Sequence, residues 1–121
     1  MPQVTITGYA TFLPTVRDAM AALVAGCAEE ALSVRPGAVA YRFVALDAAD
    51  LRAPEGRSER YTLVELQLFA GRTVAAKKAF YAALYAGCAE RLGIGPSDLE
   101  IIVTEHPAHD WAVRGRPGDE L

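Results

Sequence analysis

Ala21-Ala22-Leu23-Val24-Ala25-Gly26-Cys27-Ala28-Glu29 recurs as Ala82-Ala83-Leu84-Tyr85-Ala86-Gly87-Cys88-Ala89-Glu90, identical at eight of nine positions. An internal repeat of this kind makes each half a supersecondary unit that cannot bury its apolar face alone. Upstream of the first copy, residues 2–12 alternate weakly and carry the β-branched Val4, Thr5, Ile6 and Thr7, the pattern of a strand. Pro14 suits the first turn of a helix, and Val16, Met20, Leu23, Cys27 and Ala31 fall on one face of it. Pro36-Gly37 breaks the chain, Tyr41 to Leu46 reads as a second strand, and Ala48 to Arg60, with Pro54 and Gly56, reads as a loop.

The second half repeats the order. Tyr61 to Phe69 is a strand, and Thr73 caps a helix whose face is Tyr81, Leu84, Cys88 and Leu92. Gly93-Ile94-Gly95-Pro96 ends that helix, and Leu99 to Glu105 is the fourth strand. Strands joined through a helix are parallel and the crossover is right-handed. Two such units side by side predict an α/β (α+β) fold of tandem β-α-β repeats: a four-stranded sheet with two helices on one face. The expected organisation is a single domain over residues 1–121, with repeat one at about 2–47, a connecting loop at 48–60 and repeat two at about 61–117. The uncovered face of the sheet is where other subunits are expected.

Composition narrows the function classes. At 121 residues the chain has room for one core, and its 52% hydrophobic and 22% charged content is that of a globular protein. No apolar run approaches the ~18 residues that cross a bilayer, and the N-terminus lacks a basic segment followed by a cleavage site, so a cytoplasmic setting is expected. A net charge of -3 without a basic run argues against nucleic acid as the partner. The two cysteines take equivalent places on the two helices and read as small core residues.

Two places carry chemistry. If Met1 is trimmed, which the small Pro2 permits, the mature chain begins with a secondary amine, and an apolar, cation-lined pocket lowers its pKa toward the range in which a general base works. In Leu66-Gln67-Leu68-Phe69-Ala70-Gly71-Arg72-Thr73, Gly71 allows a sharp turn and Arg72 stands just before a helix N-terminus, which favours anions. An arginine there holds a carboxylate or, equally, pairs with a nearby glutamate. His106, His109, Asp110 and Glu105 do not make a metal site, because Pro107 interrupts them and no helix aligns the two imidazoles. Arg114 and Arg116, flanking Gly115, either line the site or are solvated, the second reading being preferred, and Arg57 and Arg60 read as ion-pairing residues that hold the connecting loop.

Pro2 opening a strand, Glu65 to Thr73 with Lys77 and Lys78, Ile101-Ile102-Val103-Thr104-Glu105, and Asp110-Trp111-Ala112-Val113-Arg114-Gly115 together resemble the tautomerase superfamily typified by 4-oxalocrotonate tautomerase. Residues 62–117 resemble one short subunit of that family and residues 2–47 a more diverged second copy. The resemblance implies a homotrimer of double-length subunits that needs no cofactor or metal and acts on a small-molecule carboxylate. It implies Pro2 as catalytic base, Arg72 as the group that binds the substrate carboxylate, and Arg42 as the group that polarises the carbonyl oxygen, with Glu100 as the second-half counterpart of Arg42. Trp111 stands for the aromatic residue that keeps the proline pocket apolar. Thr62 replaces Pro2 in the second half and Phe12 replaces Arg72 in the first, so one working site per chain is expected. The expected function is a tautomerase or isomerase of a 2-keto or 2-hydroxydienoate carboxylate. The alternatives are a trimeric ligand-binding scaffold without catalysis and a dehalogenase or decarboxylase of the same superfamily, for which Glu105 is the one nominated water activator.

Overall fold

The strands and helices alternate because the apolar period of the chain switches between two and about 3.6. The computed structural model describes residues 2–121; the removal of Met1 lies outside the described residues. The order is β1 (Gln3–Tyr9), α1 (Leu13–Leu32), β2 (Ala40–Leu46), β3 (Thr62–Phe69), α2 (Val74–Gly87) and β4 (Leu99–His106). A two-residue hairpin pair follows, β5 (Ala112–Val113) and β6 (Arg116–Pro117). The first strand is shorter than its alternation suggests. The Phe12 amide donates to the Tyr9 carbonyl (3.0 Å) and turns the chain into α1, where Pro14 occupies the first turn.

The main sheet has the order β2-β1-β3-β4, with β1 parallel to β2, β3 parallel to β4, and β1 antiparallel to β3. The two β-α-β units therefore meet across a central antiparallel pair, related by a near two-fold. Val4 and Ile6 of β1 and Val64, Leu66 and Leu68 of β3 are covered by the helices. On the other face lies the row Arg42, Thr5, Glu65 and Ile102, each paired with the next. That register corrects one expectation. Residues of β1 map onto β3 sixty positions later, so Thr5 maps onto Glu65 and its partner Arg42 onto Ile102, while Glu100 maps onto Ala40.

The buried side of α1 is Leu13, Met20, Leu23, Val24, Cys27, Ala28 and Leu32, with Val16 and Ala31 at its rim. The stripe is wider than one row because α1 packs on the sheet and on α2 together. In α2 the cap forms as the sequence predicts, the Thr73 hydroxyl accepting from the Ala76 amide (3.0 Å). Phe80, not Tyr81, is the fully buried aromatic, and a wider π-type turn over Cys88–Leu92 carries Cys88 and Leu92 into the core. The helices touch at Gly87, where a Cβ would lie 2.5 Å from Leu23 Cδ1; its repeat partner Gly26 has open space. Sequence identity between the copies thus does not mean equal packing.

Both cysteines are buried free thiols. Burial raises the Cys27 pKa, with Glu30 adding to it, and pushes Cys88 up to about 12. Since the thiolate is the nucleophile, neither should react with a thiol reagent at neutral pH until the protein unfolds. Titration with a chromogenic disulfide should therefore read no free thiol in the native protein and two in denaturant. Among the described residues no helix is long and apolar enough to cross a membrane.

Candidate active site

The antiparallel pairing of β1 with β3 decides which chain ends meet. Gln3 is level with Gln67, so the start of β1 lies beside the end of β3 and the turn that follows it. Pro2 is buried there, its carbonyl accepting from the Ala40 amide (3.1 Å) at the start of β2. It lines a cavity of about 490 Å³ together with Ser33, Val34, Arg35, Ala38, Arg72, Arg114, Arg116 and Leu121. Four of these are arginines and none carries a side-chain carboxylate, so the cavity favours an anion.

The Arg72 guanidinium is held by backbone carbonyls rather than by a glutamate side chain. Its Nε donates to the Leu32 carbonyl at the end of α1 (3.2 Å) and its Nη1 to the Phe69 carbonyl (3.1 Å). Nη2 has no hydrogen bond to the protein among the described residues, which leaves it for a ligand. The backbone under Arg72 depends on Gly71, whose φ of 129° disfavours other residues. Glu105 Oε2 accepts from the amides of Gly71 (3.1 Å) and Arg72 (3.3 Å), and Glu105 Oε1 pairs with Lys77 Nζ at 2.6 Å. The Lys77 ammonium first, then the two amides, hold the Glu105 carboxyl below its ordinary pKa. Glu105 does not line the cavity with Pro2, so the water-activating role nominated for it has no geometric support.

Arg42 and Trp111 lie elsewhere. They share a second cavity of about 470 Å³ with Gln3, Gln67, His106, Asp110 and Ala112, reached from the uncovered face of the sheet. Arg42 Nη2 donates to Thr5 Oγ1 (3.1 Å), and the Trp111 ring packs edge-on against Phe69 and His106, with centroids 5.1 and 5.6 Å away. Within one chain the structure therefore brings Pro2 to Arg72 and Arg42 to Trp111, but not one pair to the other. Pro2 follows the helix-facing parity of Val4 and Ile6, whereas Arg42 follows that of Thr5. His106 Nε2 lies 2.9 Å from Gln67 Oε1 and His109 Nε2 3.5 Å from Asp110 Oδ1, so the imidazoles face different partners. Among the described residues no group of three or more His, Cys, Asp or Glu is placed to hold a metal.

Arg35 carries no signal in the sequence as a site residue; Arg114 and Arg116 line the cavity, the alternative to their preferred solvated reading. Arg114 and Gly115 are the two central residues of the turn between β5 and β6, with φ of 52° and 78°, the signature of a type I′ hairpin, and Arg116 opens β6 just after it. The Arg-Gly pair was the available signal, since such a pair suits the two central positions of a tight hairpin turn. The hairpin is held by Gly118, whose amide donates to the Trp111 carbonyl (2.6 Å) and where a Cβ would run into the Ala108 carbonyl and the Phe69 ring.

At the far end of the sheet the near two-fold places Thr62 and Phe12 where Pro2 and Arg72 stand at this end. Arg60 lies over the Phe12 ring at 5.3 Å and donates to the Gly93 carbonyl (3.0 Å). Gly93 caps the second helix as Ser33 caps α1, so Arg60 reaches from the loop to the end of one helix as Arg72 reaches to the end of the other. The loop is further tied by Ser58, whose amide and hydroxyl both donate to Asp98 (2.7 and 2.6 Å).

Residues 39–114 match the protein family described as tautomerase enzyme. The chain belongs to the tautomerase family. A malonate semialdehyde decarboxylase inhibited by 3-bromopropiolate is 26% identical, with a TM-score of 0.81 over 91% of this chain and 87% of its own. A fused 4-OT solved as a wild-type symmetric trimer is 21% identical, with a TM-score of 0.82 over 98% and 96%. A member of the cis-3-chloroacrylic acid dehalogenase family is 22% identical, with a TM-score of 0.82 over 98% and 87%. The last two likenesses establish the shared tautomerase fold of tandem β-α-β units. The family that the chain belongs to is a family of enzymes.

Proposed function

We propose that the protein is a cofactor-independent tautomerase of small 2-keto or 2-hydroxydienoate carboxylates, with Pro2 as general base. The observation that carries this reading is the buried Pro2 in one cavity with Arg72 and three further arginines. Once Met1 is removed, the prolyl nitrogen has a lone pair, and the surrounding guanidinium groups favour its uncharged form. The nitrogen takes a proton from the carbon beside the carbonyl. The C–H electron pair forms the new double bond, and the carbonyl π pair moves to oxygen. The proton returns to the far carbon of the conjugated system, or to oxygen, restoring the amine. Arg72 binds the substrate carboxylate through the face of its guanidinium left free by Leu32 and Phe69.

Arg42 stabilises the dienolate oxygen, and Trp111 shields the pocket, from a neighbouring copy in a homotrimer. Two features support this arrangement: both residues sit on the uncovered sheet face, away from their own Pro2, and a similar fused 4-OT is a trimer. With Phe12 and an internal Thr62 at the far end, each chain has one working site. The decarboxylase reading has the likeness to malonate semialdehyde decarboxylase in its favour. It wants an acid to activate water, and the carboxylate of Glu105 is committed to Lys77 and two amides.

Arg72→Ala should raise KM for an enolised 2-keto acid about 10- to 100-fold, the loss of one charge-assisted hydrogen-bonded contact, with kcat little changed. The same substitution should leave KM for the neutral ester unaltered. An equal rise with acid and ester would contradict the role given to Arg72.

A further inference from the structure

We propose that Glu105 is a positioning residue for Arg72, fixing from the end of β4 the backbone on which the carboxylate-binding guanidinium is mounted. The inference rests on the reading of Arg72 given above. Three contacts from one carboxylate carry it. Oε2 joins the consecutive amides of Gly71 and Arg72, and Oε1 joins Lys77 in the first turns of α2. One side chain of β4 thus ties together the turn after β3 and the start of the next helix.

The turn needs such a tie. Gly71 holds a φ of 129° and is exposed, and a Cβ there would meet nothing within 4 Å, so packing does not restrain it. Arg72 must reach the Leu32 carbonyl across the helix layer and the Phe69 carbonyl in its own turn at once. A shift of its backbone would break one of the two bonds and re-aim the guanidinium. Glu105 also fills the anion position that the two amides offer, so the helix N-terminus cannot take the substrate carboxylate. The ligand is left to the guanidinium and to the cavity that holds Pro2.

Equilibrium binding of phenylpyruvate and of its methyl ester, read by calorimetry on the full chain, tests this without requiring turnover. Glu105→Ala should weaken binding of the acid about tenfold, as expected when a binding group is misplaced by a fraction of an ångström to an ångström, and leave the ester unchanged. Glu105→Gln, whose amide oxygen still accepts from both backbone amides, should stay within about threefold of the wild type for the acid. In an Arg72→Ala background, Glu105→Ala should add nothing. Should Glu105→Ala fail to fold, Glu105→Asp keeps the charge but falls short of the two amides, and it should weaken the acid selectively. Acid binding unaffected by Glu105→Ala, equal loss for acid and ester, or an undiminished effect without Arg72 would each overturn the proposal. A loss of acid binding with Arg72→Ala but none at Glu105 refutes the positioning role alone. An acid affinity that Arg72→Ala does not change refutes the reading of Arg72, and this proposal with it.

Discussion

Pro2→Ala should lower turnover of an enolised 2-keto acid about 10²- to 10⁴-fold, the usual contribution of a positioned general base. The variant still offers a primary amine after Met1 removal, so its residual rate measures how much depends on the secondary amine. Its ring is also lost. The prolyl ring fixes the backbone at the start of β1, where the Pro2 carbonyl accepts from Ala40. Intact mass of the purified protein is the companion measurement. A chain that retains Met1 has an amide nitrogen at Pro2 and should be inactive; removing the methionine should restore the rate. Unchanged turnover in Pro2→Ala, or full activity in a chain that keeps Met1, would take Pro2 out of the mechanism and favour a trimer that only binds its ligand.

Arg42→Ala should be as inactive as Pro2→Ala when either is made alone, and mixing the two should restore activity. Arg42 and Pro2 point to opposite faces of one chain's sheet, which is why the proposed trimer has Arg42 serve the Pro2 of a neighbour. In a cyclic trimer that contains both variants, an intact Pro2 meets an intact Arg42 from another chain at about one of the three interfaces. Co-expression of differently tagged variants, followed by a turnover assay on the doubly purified trimer, checks this. If Arg42 served its own chain, no mixture could build a working site and activity would stay at the level of the single variants.

Much of the fold was legible in the residues because local signals agreed with one another. Thr73 capped α2, Pro14 opened α1, Gly93 closed the second helix in a left-handed turn, and β-branched runs marked the strands. Where the signal was a single row of apolar residues it was less specific. Val16 and Tyr81 share the helical period with the core but end at its edge, because depth in the core depends on what the neighbouring helix covers. Arg114 and Arg116 looked solvated since each is exposed taken singly; only the left-handed turn at Arg114 and Gly115 brings them to the cavity mouth.

The sequence by itself determined the strand-helix-strand repeat, the family, and the residue types able to do the chemistry. These follow from periodicity, turn residues and the identity of nine-residue segments, all properties of neighbours along the chain. The tertiary structure alone decided which of those residues meet. The antiparallel β1–β3 pairing sets Arg72 beside Pro2, and strand parity turns Arg42 and Trp111 to the other face. It also turned Glu105 from a candidate acid into the partner of Lys77 and two amides. Register and parity arise from hydrogen bonds between strands up to about sixty residues apart, as between Thr5 and Glu65. No local pattern specifies such distances, because a shift of one residue exchanges the two faces of a strand.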